Sequence, residues 1–490
     1  MPAKPLLYDW LQRTIREQGG SGTAIVYRDT YLSWRGLAHR ADRRAQELSA
    51  MGLGPGDWIG VMLGNVPELV ILALAASKLG AVLVPLDPTT ASRELDQILE
   101  VAPLRVLVTR PHGGDTPTPA PISPLRTDGR KGAARIQPEG RRRLQGTLLN
   151  LHLYRRRPAE LPEAARADVV LFADMGGDPR GLVRSTATLS AIAETLVPAI
   201  SLTGEDHVLA AAPLFHSFGF DYALLAPLRA GATLQLEDEL STKRLTKLLR
   251  DDRIDVFPGN PLLFGTLARE VAVKPIAADN PRFISSGSPL PAAVAEAFRS
   301  RYRVALRSAY HTTENGPLCL EWTGDHPTTV GKPLPGVELR HSDTAADAPT
   351  SEPRPLWVRA PGTAVAAIPE LCLPARDGRV PIGACDPDGW FRTGDLGRFD
   401  AHGNLELSGR EDDLVKIEGK RVALGEVAGC LEAFPRVREA EAELRHDDAG
   451  QPLLVARVVA SGCRPEELID HCARNLPPHK VPRQIELAQP

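Results

Sequence analysis

A chain of 490 residues is too long for one small core, and 43% apolar with 24% charged residues describes an ordinary soluble globular protein of two or more domains. A net charge of −3 excludes a general nucleic-acid binder. The six cysteines (Cys319, Cys372, Cys385, Cys430, Cys463, Cys472) contain no CxxC pair, which predicts reduced thiols in the cytoplasm and neither a disulfide framework nor a zinc site. Met1-Pro2-Ala3-Lys4-Pro5 lacks the apolar core of a signal peptide. The apolar run from Leu69 to Leu86 is broken by Lys78, Gly80 and Pro85, so it reads as a buried helix followed by a buried strand and not as a membrane span.

The first hundred residues alternate. Strands are predicted over Tyr31 to Trp34, Asp57 to Leu63, Ala81 to Pro85 and Arg105 to Thr109, with helices over Arg35 to Met51, Val66 to Leu79 and Ala91 to Val101. Such alternation argues for a mostly parallel sheet covered by helices. The stretch from Pro111 to Glu160, with Arg141-Arg142-Arg143 and Arg155-Arg156-Arg157, breaks the rhythm and reads as an exposed connection, with anion or phosphopantetheine contact as the sharper alternative. Alternation resumes at Asp168 and runs past residue 330. A polar, proline-bearing break covers His341 to Pro355. From Arg410 the character changes to a small α+β pattern: strands Leu414 to Ile417, Ala440 to Arg445 and Pro452 to Val459, helices Leu424 to Phe434 and Pro465 to Asn475, and a last segment Lys480 to Leu487. The expected fold is α/β, with a large N-terminal domain of doubly wound sheets over residues 1–408 and a small C-terminal α+β domain over 409–490.

Around Leu171 to Ser185 an apolar stretch runs into a loop carrying Gly176, Gly177, Asp178, Pro179, Arg180 and Gly181, and a helical pattern follows from Thr186 to Val197. Strand, flexible turn and helix N-terminus in that order form the layout of a phosphate-gripping loop. Four further patches follow in order: Pro213 to Gly219 around His216, Ala309-Tyr310-His311-Thr312-Thr313-Glu314, Gly389 to Gly397 around Asp395, and Gly409 to Arg421. Read alone, His216 and Tyr310 are packed core residues, Asp395 caps a turn, and Arg410, Asp412 and Asp413 form a solvated turn.

Together the five patches resemble the adenylate-forming superfamily of acyl- and aryl-CoA synthetases, peptide-synthetase adenylation domains and luciferases, over nearly the whole chain. The resemblance implies that a carboxylate attacks the α-phosphate of ATP to give an acyl-adenylate, and that a thiol of CoA or phosphopantetheine then displaces AMP. It implies roles residue by residue. Asp395 would bind the ribose hydroxyls, Tyr310 would pack along adenine, Thr313 would meet phosphate and Glu314 would hold Mg2+, a hard cation that takes oxygen ligands. Gly176, Gly177, Arg180 and Gly181 would cradle phosphates. His216 would line the acyl tunnel, Arg410 would reach the nucleotide, Asp412 would be the hinge of a mobile small domain, and Arg421 would meet the nucleotide side after rotation. The spacing from Asp221 to Gly231 matches CoA synthetases, so Asp221 is not expected to anchor an amine.

The chain departs from the family at two places that serve adenylation. Ala173, Asp174, Met175 and Gly176 replace a Ser, a Gly, a Ser or Thr and a Thr, and Arg180 replaces Lys, so short hydroxyl donors are lost and a carboxylate is added near the phosphates. The family's adenylation lysine lies further on than this sequence runs, and Lys480 belongs to an earlier segment. A third departure is His311, where the family usually has Gly. The expected activity is an acid–thiol ligase with weakened use of ATP and Mg2+. The alternatives are a non-catalytic protein binding AMP, an acyl-adenylate or an acyl-carrier partner, and an acyl transferase that performs only the thiol half. The expected partners are a small carboxylic acid and an acyl-carrier protein, with no nucleic acid and no membrane span.

Overall fold

The computed structural model describes residues 6–90, 92–110, 138–155, 167–174, 179–270, 276, 278–341, 353–368, 382–411, 414–417, 420–434, 436–447, 451–460 and 462–488. Local sequence sets the element ends. The helix Trp34–Ala50 starts where Ser33 Oγ accepts from the Gly36 amide at 3.1 Å. The helix Pro67–Leu79 has proline in its first turn and stops at Gly80, which sits at φ 65°, a left-handed conformation suited to glycine. Every residue of that helix from Leu69 to Ala76 is buried, and the strand Val82–Pro85 that follows is buried throughout, which accounts for the long apolar run without a membrane. No helix among the described residues is long and apolar enough to cross one.

Two large sheets dominate. The first has nine strands, with the parallel set Leu306–Thr312, Arg282–Ser285, Val256–Gly259, His207–Ala210, Thr233–Leu236 and Thr23–Tyr27 flanked by antiparallel edges. The second has eight, built on the parallel strands Val169–Asp174, Val82–Pro85, Trp58–Met62 and Leu104–Thr109. One core joins them through the helices Pro67–Leu79 and Thr186–Ala199. A four-stranded antiparallel sheet follows, from Glu338–His341 to Leu405–Arg410, then the hairpin Leu414–Ile417 with Lys420–Ala423, and last a three-stranded sheet covered by the helices Leu424–Glu432 and Pro465–Asn475 with its own core.

Two readings of the sequence are corrected. Part of the Pro111 to Glu160 stretch is structured: Pro138–Arg143 and Asn150–Tyr154 pair with each other and extend the second sheet, because Leu151 and Tyr154 are buried against it. The phosphate-loop layout also differs. Pro179–Arg184 is a strand that pairs antiparallel with Val169–Asp174, and the helix begins only at Thr186, capped by Ser185. Leu182 and Val183 are apolar and buried, which draws the segment into the sheet. A strand therefore stands between the predicted loop and the helix N-terminus. Residues 175–178, with Gly176 and Gly177, and Asp412, the expected hinge, lie outside the described residues.

Candidate active site

A cleft of about 130 Å³ opens between the large sheets and the C-terminal elements. One wall is the turn Pro213 to Phe218. Asn65 shapes it: its Nδ2 donates to the carbonyls of Ala210 (2.7 Å) and Ala212 (3.0 Å), and its Oδ1 accepts from the Leu214 amide (2.9 Å). Gly219 permits the turn, since a Cβ there would lie 2.1 Å from the Pro213 carbonyl oxygen. His216 and Phe218 line the cleft, and the chain runs from the short helix Ser217–Phe220 into a π-helical stretch, Asp221–Leu225. Such stretches are frequent at functional sites.

Behind this wall lies a buried polar cluster. Arg184 Nη1 donates to Asp221 Oδ1 at 2.6 Å, and both side chains are fully enclosed. Asp221 Oδ2 meets His311 Nε2 at 2.8 Å, and Arg184 Nη2 donates to the Thr313 carbonyl at 3.0 Å. Both oxygens of Asp221 are thus engaged. Burial pushes the His311 imidazole below its usual range, against the opposing pull of Asp221. Thr313 also shares a hydrogen bond with Ser217, Oγ to Oγ1 at 2.9 Å.

Of the predicted nucleotide residues, Thr313 lines the cleft, while Tyr310, Asp395 and Arg410 form a second group. Tyr310 donates its hydroxyl to Asp395 Oδ2 at 2.5 Å, and Arg410 Nη1 donates to Asp395 Oδ1 at 2.7 Å. Asp395 and Arg410 are brought together because they stand opposite each other in neighbouring strands. Tyr310 is 2% exposed; burial and then the neighbouring carboxylate push its hydroxyl well above the usual phenol range, so it remains a donor. Glu314 is buried as well. The carboxylate chemistry suits ribose hydroxyls, which at these two oxygens would compete with the Tyr310 and Arg410 donors. Among the described residues no group of three or more His, Cys, Asp or Glu gathers as a metal site; Mg2+ bound by one carboxylate together with substrate phosphates does not need one. Arg180 is buried in register with Ala173, and a Cβ at Gly181 would lie 3.1 Å from the Phe172 ring, so the base of the loop is tightly packed.

The facing wall comes from the C-terminal elements. Lys416 and Lys420, from the hairpin whose register pairs Lys416 with Arg421, line the cleft with His479. Lys420 forms an ion pair with Asp87 and lies 5.9 Å from the centre of the Phe215 ring. Nothing is assigned to the Arg421 side chain, which lies outside the described atoms. Burial and Lys420 push the His479 imidazole down to about 3. Ser286 also lines the cleft, whereas Asn260 caps the helix Pro261–Ala268 and Phe264 packs in an aromatic core cluster. Sequence reading missed Asn65, Asp87 and Arg184; only Arg184, a charge in an apolar stretch beside the first patch, carried a signal.

Residues 11–366 match the family described as AMP-binding enzyme. The chain is 32% identical over 485 residues to novobiocin biosynthesis protein H of Streptomyces niveus, covering 96% of this chain and 77% of that protein. It is 26% identical over 487 residues to tyrocidine synthase 2 of Brevibacillus parabrevis, covering 94% of this chain but only 12% of that far longer protein. Among solved structures it is similar to the amide bond synthetase McbA from Marinactinospora thermotolerans, with a TM-score of 0.77 and 25% identity over 98% of this chain and 95% of the other. A family match over most of the chain, with the ordered motifs, gives one conclusion: the chain belongs to the AMP-binding, adenylate-forming enzymes, the superfamily of the acyl- and aryl-CoA ligases.

Proposed function

We propose that the chain is an acid–thiol ligase that passes an acyl group from an acyl-adenylate to a thiol, with a weakened adenylation half. The observation that carries this reading is the hairpin Leu414–Ile417 with Lys420–Ala423, which supplies Lys416 and Lys420 to the cleft opposite His216 and Phe218. Two ammonium groups there suit an anionic adenylate and the phosphates of a phosphopantetheine arm. In this reading the small domain spans residues 409–490 and turns about Asp412, Asp395 and Tyr310 take the nucleoside, and Arg410 and Arg421 attend the nucleotide. Thr313 and Glu314 serve phosphate and Mg2+, His216 lines the acyl path, and Gly176, Gly177, Arg180 and Gly181 form the altered phosphate loop. CoA is the simplest acceptor; similarity to a tyrocidine synthase adds a carrier-borne thiol.

A second reading, a non-catalytic binder of AMP or an acyl-adenylate, is favoured by the replacement of the loop hydroxyls at Ala173 to Gly176 and by the engagement of Asp395 with Tyr310 and Arg410. Two assays separate them. Carboxylate-dependent pyrophosphate exchange over a panel of acids reads adenylation, and supplied acyl-AMP with CoA reads thiol transfer. Slow exchange with brisk transfer is the expected result. Transfer without exchange leaves only the thiol half. Nucleotide binding with neither activity establishes the second reading and overturns the first.

A further inference from the structure

His311 combines three properties that none of the five patches accounts for. It lines the cleft, its side chain is only 3% exposed, and its Nε2 is fixed by Asp221, which is fixed in turn by Arg184. A carboxylate only accepts, so the proton of the neutral imidazole sits on Nε2 and Nδ1 is left as a lone-pair acceptor. Among the described residues Nδ1 has no hydrogen-bond partner. Its surroundings are aromatic: the Phe218 and Tyr222 rings are 5.7 and 6.1 Å from the imidazole. Tyr222 is wholly enclosed and its hydroxyl also lacks a partner there. Buried polar groups in proteins are nearly always satisfied, which makes the Tyr222 hydroxyl unusual, and Nδ1 belongs to a residue that lines the cleft, where a ligand can supply its donor.

We infer that His311 is a specificity-determining residue of the acid pocket, selecting a carboxylic acid that carries a hydroxyl donating to its Nδ1. The inference rests on the reading that the cleft binds a carboxylic acid. A hydroxyl is favoured over an ammonium by desolvation: Arg184 and Asp221 offset each other, the Phe218 and Tyr222 rings flank the imidazole, and burying a cation beside them costs far more than burying a hydroxyl that donates to Nδ1. Arg184 and Asp221 act as positioning residues, holding the tautomer and the ring.

The test is calorimetric titration of the full chain, with AMP present, using acids paired by one hydroxyl: benzoate against each monohydroxy isomer, and butyrate against the hydroxybutyrates. In at least one pair the hydroxy acid is expected to bind about tenfold more tightly, the effect of one buried hydrogen bond. His311→Gln keeps an amide donor for Asp221 and carries its one acceptor, Oε1, away from the Nδ1 position because no heteroatom is bonded to Cγ, so the affinity ratio within each pair should fall to about one. Equal affinity within every pair overturns the inference, as does a preference that survives in a folded His311→Gln protein. Because binding and not turnover is read, an absence of ligase activity leaves this result interpretable, and a failed hydroxyl preference leaves the ligase reading standing.

Discussion

Replacing Tyr310 with Phe should move stability and nucleotide affinity in opposite directions. The phenol donates to Asp395 across 2.5 Å within a buried pair. A hydrogen bond to a charged group contributes about 1.5–3 kcal/mol, and its removal leaves a carboxylate oxygen short of a donor. Urea unfolding of Tyr310→Phe should therefore show a loss of about that size. A ribose hydroxyl entering the same place no longer has to displace the phenol, so AMP should bind about tenfold more tightly, since each 1.4 kcal/mol is a factor of ten. The Phe ring keeps any packing against adenine, and the buried phenol stays protonated, so pH does not mimic the substitution. Calorimetric titration with AMP beside the unfolding curves decides the matter. If affinity stays level or falls while stability drops, Tyr310 does not compete with ribose and the closed Asp395 site has been misread.

Restoring the loop with Ala173→Ser, Asp174→Gly, Met175→Thr and Gly176→Thr together should raise ATP-Mg affinity about tenfold, one charged hydrogen bond's worth, and leave AMP unchanged; a wild-type protein that already prefers ATP strongly would contradict this. Arg184→Met strands Asp221 in the interior and should cost about 3–5 kcal/mol in chemical unfolding, most of it recovered by adding Asp221→Asn; a single variant as stable as wild type refutes the account. The His479 imidazole, ordinarily near 6.5, is pushed down to about 3 in the folded chain, so unfolded chains take up a proton that the folded state refuses. Stability from this group is complete above pH 6.5 and declines as pH falls toward 3, and His479→Gln should flatten that decline in urea midpoints measured across the range.

The parts of the fold legible in the sequence are those with local causes. Ser33, Pro67 and Gly80 mark element ends that the structure reproduces within a residue or two, and the helix Pro465–Asn475 has the predicted bounds. The strand Pro179–Arg184 was not legible, because its glycine and arginine resemble a loop and only pairing with Val169–Asp174 makes it a strand. The site divides in the same way. Its motifs are contiguous and readable, but the cluster of Arg184, Asp221 and His311 joins residues 37 and 90 positions apart, and no periodicity announces such a meeting. Nor does a motif show that Tyr310 and Arg410 both take up the carboxylate of Asp395.

Asn65 has a bearing on the order in which the chain acquires its form. It follows a strand of the second sheet, yet its side chain clasps main-chain groups of residues 210, 212 and 214, which continue a strand of the first, across sequence separations of 145 to 149. Contacts that span so much chain close slowly, because the entropy of the intervening loop must be overcome before they form. The turn that presents His216 therefore cannot settle when its own residues emerge. It waits for the first strands and helices of the protein to have consolidated, and this wall of the cleft is completed late, around a clasp laid down early.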